Sequence, residues 1–209
     1  MNFKLFSVLF LIVALSACAG DYTKIFNGND LTGWHSIDDG DWSVDKGELV
    51  CESIDGDNVG YLSTTEFYDN FDLVFEFKEE QMDGDFGVLF HTNVDTAVVH
   101  GWKVVIAPMN HGTGSIFEEN GRGLLERIPE QSEKVLKPGD WNKMRIKVER
   151  GHVTTWLNDY LMVDYSDSNI AKGKGGIIFK VGKGKGVIVR LRNIKIKKLD
   201  ELEKVNQYI

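Results

Sequence analysis

Cysteine and proline are scarce in this chain. It has two cysteines, Cys18 and Cys51, and three prolines in 209 residues. Two cysteines cannot build the disulfide framework of a small secreted scaffold. Long apolar runs are missing as well. The longest, Leu5 to Leu15, is too short to cross a bilayer comfortably. No later segment keeps a helical period, which excludes a helical bundle. No strand–GxxxxGK[ST]–helix context exists, so no phosphate-binding loop is expected. The net charge of −8 argues against nucleic acid as a general partner. Acidic residues are absent between Lys172 and Lys198, where ten basic residues occur.

What is present begins with an address. Lys4 is the lone charge before the apolar run, which ends in Leu15-Ser16-Ala17-Cys18. Small residues before a cysteine, directly after an apolar core, form a bacterial lipobox. Residues 1–17 are therefore expected to be a signal peptide, cut before Cys18. Cys18 would carry lipid, residues 18–23 would be a short tether, and the protein would sit on a membrane in the bacterial cell envelope. Several acyl chains anchor stably where one does not. Cys51, in Glu48-Leu49-Val50-Cys51-Glu52, is then unpaired and reads as a strand residue rather than a nucleophile.

The remainder is long enough for one well-filled domain, expected at 24–199, with a charged tail at 200–209. Its period is two. Phe71, Leu73, Phe75 and Phe77 share one face of a strand, while Asp72, Val74, Glu76 and Lys78 share the other. Met144, Ile146 and Val148 alternate with charged residues. Asn158-Asp159 marks a tight hairpin turn. In the last strand Val187, Val189 and Leu191 set one parity and Ile194 and Ile196 the other. That switch fits a β-bulge, a bend or a restarted strand around Arg192-Asn193. Further strands are expected at 47–52, 60–65, 86–92, 101–107, 114–118 and 175–181. About a dozen short strands with Gly, Asn and Asp turns predict an all-β, antiparallel two-sheet sandwich.

Several ordered motifs carry a family resemblance. Phe26-Asn27-Gly28-Asn29-Asp30-Leu31-Thr32-Gly33-Trp34 resembles the opening signature FNGKDLSGW of the 3-keto-disaccharide hydrolase domain family. Asp140-Trp141-Asn142, Thr155-Trp156-Leu157-Asn158 and Leu191-Arg192-Asn193-Ile194-Lys195-Ile196 resemble its later segments. The resemblance covers roughly residues 24–199. It implies a concanavalin A-like jelly roll with a carbohydrate site on one concave sheet face, and activity on 3-keto glycosides. A base would remove the C2 proton, a cation or donor would hold the enolate, and the C1 leaving group would depart before water adds.

The positions where that chemistry would reside depart from the family pattern. Asp85 replaces an asparagine, His91 an arginine, Lys103 a glutamate and Val105 a glutamine. Around Lys180 an expected histidine is missing. The candidate catalytic set is His91, Lys103, His111, Asp85 and Glu76, with Lys103 as electrophile and a histidine as base. The candidate substrate-binding set is Trp102, His100, Glu118 and Lys180, with Trp102 as a stacking platform for a pyranose. Trp34, Trp42, Trp141 and Trp156 read as core or loop anchors. Three histidines within 21 positions permit a divalent-cation site with Asp85 or Glu118, but their spacing fits no zinc signature and no cofactor is assigned. Lys172, Lys174, Lys183 and Lys185 are solvated loop residues or contacts for an anionic glycan or lipid head group. The partners expected are a carbohydrate and a membrane. The function classes are a glycosidic-bond hydrolase, a non-catalytic sugar-binding module, or a structural lipoprotein.

Overall fold

The computed structural model describes residues 21–37, 40–53, 59–93 and 99–199. The signal segment, the lipobox with Cys18 and the tail 200–209 lie outside the described residues. Thirteen strands follow one another: β1 (Thr23–Lys24), β2 (Trp34–Ser36), β3 (Asp41–Asp45), β4 (Glu48–Ser53), β5 (Gly60–Thr64), β6 (Phe71–Asn93), β7 (His100–Ile106), β8 (Ile116–Glu119), β9 (Gly123–Glu126), β10 (Asn142–Glu149), β11 (His152–Leu157), β12 (Tyr160–Ser166) and β13 (Ile178–Lys198). The helical content of the described residues is two 3-10 turns, Glu130–Val135 and Ile170–Lys172.

Two of these strands are far longer than the sequence pattern suggested. The expected strands near 71–78 and 86–92 are one strand, β6. Those near 175–181 and 187–196 are likewise one, β13. β6 and β13 pair antiparallel along nearly their full lengths, and this ribbon passes through both layers of the fold. The first layer runs β12-β11-β10-β6-β13-β4-β3 and uses the first half of β6 and the second half of β13. The second layer runs β9-β8-β7-β6-β13-β5-β2 and uses the opposite halves. The sandwich is thus one sheet folded over at the middle of the ribbon. Register shifts cluster there, between Val181 and Val189, and Gly186 at φ +145° takes a conformation open to glycine. Gly84 pairs with Gly184 at this bend, where the chain continues rather than reverses.

The core lies between the layers. Phe71, Leu73, Phe75 and Phe77 face it from the first layer, and Phe86, Val88, Phe90 and Phe179 from the second. Phe75 and Phe179 meet edge to face at 5.6 Å across the gap. Trp34, the last residue of the opening signature, stacks on Phe179 at 5.5 Å and donates its Nε1–H to the Ile25 carbonyl at 2.7 Å. That signature is therefore a structural clasp. Asn158 and Asp159 both have positive φ (50° and 67°), as a tight two-residue hairpin requires. Asn193 at φ 54°, with a register shift between Arg192 and Lys195, makes the change of parity in β13 a β-bulge. Cys51 is fully buried on β4, and burial pushes its thiol well up, away from a reactive thiolate.

The outer face of the first layer is closed by paired charges. Arg145 donates twice to Asp72 (2.9 and 2.7 Å) and stacks on Trp156, while Arg192 bonds Glu76 and lies 3.8 Å from the Trp141 ring centroid. Glu76 is thus held on the layer opposite Lys103 and takes no part in a common site with it. Trp141 and Trp156 are arginine-covered face residues, not core anchors.

Glu79 continues the inward parity of Phe77 and is buried, and its Oε1 has no hydrogen-bond partner. Burial pushes its carboxyl up to about 7. Between the unfolded value, about 4.3, and that folded value the native state holds the extra proton, so stability falls as pH rises through this window. Glu79→Gln should therefore stabilise by roughly 2–3 kcal/mol at pH 8 and much less at pH 4.5. Urea unfolding at both pH values checks this, and a gain that does not grow with pH contradicts it.

Candidate functional site on the outer face of the second layer

Strand pairing sets which residues share this face. Leu89 lies opposite Lys103, and Lys103 opposite Phe117. On the other side Leu89 lies opposite Ile178, Ile178 opposite Ser63, and Ser63 opposite His35. The neighbouring row holds Val105, Gly87, Lys180 and Tyr61. Lys103 and Val105 lie two residues apart on β7 and so share this face.

Four charged side chains converge at the centre of the face. Lys103 Nζ donates to both Asp85 oxygens at 2.8 Å and lies 3.0 Å from Glu119 Oε2. Lys180 Nζ donates to Asp85 Oδ2 at 2.8 Å and to Glu119 Oε1. The angle to Glu119 Oε2 is too poor for a hydrogen bond, so that contact is an ion pair alone. Lys180 on β13 and Glu119 on β8 stand three strand spacings apart, roughly 14 Å in a flat sheet. An extended lysine and an extended glutamate together just span that distance, so both side chains lie flat over β6 and β7; this is the face that the family resemblance implies is concave. Gly87 lies in the middle. A Cβ there would stand 2.8 Å from Lys103 Cγ and 2.7 Å from the Val104 carbonyl. Only glycine leaves the lysine stem room to lie flat across β6. Lys103 Nζ also sits 4.9 Å from the centre of the Phe117 ring.

The side chains of Lys103, Lys180 and Glu119 are 6%, 8% and 11% exposed, whereas that of Asp85 is 36% exposed. Asp85 is thus the most exposed member of the four. Burial by itself would raise its carboxyl, but Lys103 and Lys180 outweigh burial and hold it below the usual aspartate range. Burial by itself would lower the Lys180 ammonium, but Asp85 and Glu119 outweigh it and raise the ammonium above its ordinary value. Three positions that depart from the family pattern, Asp85, Lys103 and Lys180, therefore meet in one cluster. Glu119 completes it. Sequence reading missed Glu119 and chose Glu118, because the strand was expected to end at 118. Its shared parity with Phe117 was the available signal.

The other candidates lie elsewhere. Trp102 faces the core at 8% exposure, with the Arg122 guanidinium 5.5 Å from its ring, so it offers a sugar no stacking face. Glu118 pairs with Arg122. His100 is exposed at the start of β7, and His111 is exposed five residues beyond its end. His91 would share parity with Asp85 and Leu89, but its φ of 49° makes a bulge that turns the ring aside. Its Nδ1 and Nε2 lie 2.9 and 2.7 Å from the carbonyl oxygens of Ile170 and Asp69. His91, His100 and His111 do not meet, so the cation site they permitted is not formed by them. Among the described residues no group of three or more His, Cys, Asp or Glu side chains is arranged to hold a metal.

Beside the tetrad the same face opens into a groove of about 810 Å³ lined by His35, Ile37, Ser63, Thr65, Phe67, His91, Thr92, Lys172, Gly173, Lys174 and Gly176. His35 was missed, although its alternation with buried Trp34 placed it outward.

The tetrad sets a pH window. The Asp85 contribution to stability is full above its unfolded value, about 3.9, and is lost as pH falls through its lowered folded value. The Lys180 contribution is full below about 10.4 and is lost as pH rises through its raised folded value. Lys180→Met should cost about 3 kcal/mol near pH 7 and should shift the acid limb to higher pH, since Asp85 keeps one cation instead of two. Thermal melts from pH 2 to 11 measure both, and an unmoved acid limb contradicts the coupling.

Residues 21–197 match the 3-keto-alpha-glucoside-1,2-lyase-like domain. A 3-keto-disaccharide hydrolase of Bacteroides thetaiotaomicron is 25% identical over 173 residues, covering 70% of this chain. The chain spans 59% of that relative's length. A Parabacteroides distasonis protein described as a candidate glycosyl hydrolase superposes with a TM-score of 0.62 at 25% identity, over 86% of this chain and 94% of its own. Carbohydrate-binding module CBM66 of Bacillus subtilis shares the fold at a TM-score of 0.59 and 15% identity, over 81% of this chain and 98% of its own. These likenesses agree with the jelly-roll sandwich described above, and the matched segment contains every strand that builds the concave face. The chain belongs to the 3-keto-alpha-glucoside-1,2-lyase-like domain family.

Proposed function

We propose that the protein cleaves glycosidic bonds in oxidised sugars, taking a 3-keto glycoside on the concave face of the second layer. The observation that carries this reading is the tetrad, in which one half-exposed carboxylate stands over two buried ammonium groups. Asp85 takes the proton from C2. The electron pair moves into the C2–C3 bond, and the C3 oxygen becomes the oxyanion. Lys180 uses two of its three N–H donors on Asp85 and Glu119 and has one left for that oxygen. The C1–O bond then breaks, the leaving oxygen takes the proton back from Asp85, and water adds to the unsaturated sugar. An aspartate of low basicity suffices when the oxyanion is strongly held, as in ketosteroid isomerase.

The family membership and the 3-keto-disaccharide hydrolase relative support the substrate class. The lipobox at Cys18 supports attachment to a membrane of the bacterial envelope, which suits a protein that meets extracellular sugars. A second reading, a non-catalytic sugar-binding face, is favoured by one observation. The tetrad is electrically closed, and its carboxylate is held below the normal range.

The two separate cleanly. Residues 18–209 should release the aglycone from a chromogenic 3-keto glucoside and leave the unoxidised glucoside intact. Asp85→Asn should lower kcat by 10²- to 10⁴-fold while a thermal melt still reports a folded protein. Binding of the 3-keto glucoside without turnover by the unmodified protein would select the second reading.

A further inference from the structure

The groove beside the tetrad has a chemistry of its own. Three glycines let the segment after the Ile170–Lys172 turn lie flat on the sheet ends. A Cβ at Gly173 would stand 2.3 Å from His91 Cβ, one at Gly175 2.7 Å from Thr92 N, and one at Gly176 2.4 Å from Ser63 Oγ. These contacts are too close for any side chain, so the path of Lys172-Gly173-Lys174-Gly175-Gly176 is fixed by composition. Both lysines are left on the rim and exposed. Tyr68 and Gly175 exchange both backbone hydrogen bonds (2.8 and 3.1 Å), which brings the 66–68 loop against the same segment. Phe67 then stands at the mouth, 59% exposed. His91 ties the two walls together through the carbonyls of Asp69 and Ile170.

The lining is cationic. Among the described residues neither Lys172 nor Lys174 has a carboxylate partner, and no acidic residue lines the groove. Lys195 and Lys197 likewise have no carboxylate partner among the described residues, but they are half-buried on the first-layer end of β13, whereas the other described cations of the basic run are paired. Lys180 lies in the tetrad, Arg190 bonds Asp45, Glu48 and Glu80, Arg192 bonds Glu76, and Lys198 bonds Glu66. Besides the lysines the groove offers an exposed aromatic ring, Ile37, the hydroxyls of Ser63 and Thr65, and the His35 imidazole. An aromatic face takes the C–H face of a pyranose, hydroxyls take its hydroxyls, and unpaired ammonium groups take a negative substituent.

We infer that this groove binds an anionic sugar residue, a pyranose carrying a carboxylate or sulfate group, stacked on Phe67 with its charge between Lys172 and Lys174. The inference rests on the reading of the concave face as a glycoside site and adds the charge of the residue next to the bond acted upon. A neutral sugar at the tetrad followed by an anionic neighbour in the groove would lie along one row of the sheet, from Lys103 through Leu89 and Ile178 to Ser63 and His35.

Calorimetric titration tests it with three trisaccharides: galacturonate, sulfated galactose and neutral galactose. At 50 mM NaCl one or both anionic sugars should bind at least about tenfold more tightly than the neutral one, and 500 mM NaCl should remove most of that preference. Which anionic sugar binds identifies the group. Lys172→Gln/Lys174→Gln should abolish the preference, and Phe67→Ala should weaken binding of the preferred sugar about tenfold. Melting temperatures should hold in both variants, since all three side chains are exposed. Equal affinity for all three sugars, or an anionic preference that survives the double lysine variant, overturns the inference. Anionic preference in a protein that turns over no 3-keto glycoside supports the inference and sinks the cleavage reading instead.

Discussion

The antiparallel pairing of β6 with β13 is the constraint on which the rest depends. It is the one ladder that belongs to both layers, so every other strand takes its place relative to it. Its inward side chains, from Phe71 to Phe90 on β6 and Phe179 to Ile196 on β13, supply most of the large buried rings. Its outward side chains at the second-layer end supply Asp85 and Lys180. Core and site are therefore opposite faces of the same ribbon. A change of register by one residue would exchange them, sending phenylalanines to solvent and charges to the core.

The tetrad illustrates how a concave face accommodates charge. Two ammonium groups and two carboxylates leave no net charge to desolvate, and each cation meets both anions. Removing any one member strands a partner in a poorly solvated place, which explains why the departures at Asp85, Lys103 and Lys180 stand together. The first layer handles charge differently. There, arginines bridge carboxylates and lie flat on Trp141 and Trp156. That face is filled by its own side chains, whereas the second layer keeps an open groove beside a half-exposed carboxylate. The asymmetry between the faces makes the second layer the candidate site.

Much of the fold was legible because strand alternation is a local property. The parity of Phe71 to Phe77, the turn at Asn158-Asp159, the parity switch near Asn193 and the shared face of Lys103 with Val105 each needed only neighbouring residues. The site was less legible for identifiable reasons. A positive φ at His91 broke the parity that would have aimed it at the tetrad, and left it in the wall of the neighbouring groove. Trp102 followed the core parity of Val104 and Ile106, so its attraction as a sugar platform was an argument from residue type against position. Glu76 alternated outward as expected, but outward from the first layer.

The sequence alone determined the all-β class, the two faces of the 71–78 and 143–149 strands, the strand position of Cys51 and the family, because these depend on spacing and motif order along the chain. Only the tertiary structure decided that two pairs of expected strands are single bent strands. It also decided that Asp85, Lys103, Glu119 and Lys180 meet, and that Lys172 and Lys174 rim a groove with Phe67. The physical reason is sequence separation. Lys180 and Asp85 are 95 residues apart, and no local periodicity reports which side of a folded sheet a distant strand will share. That choice is made by the ribbon pairing and by glycines whose missing Cβ atoms permit the close approach.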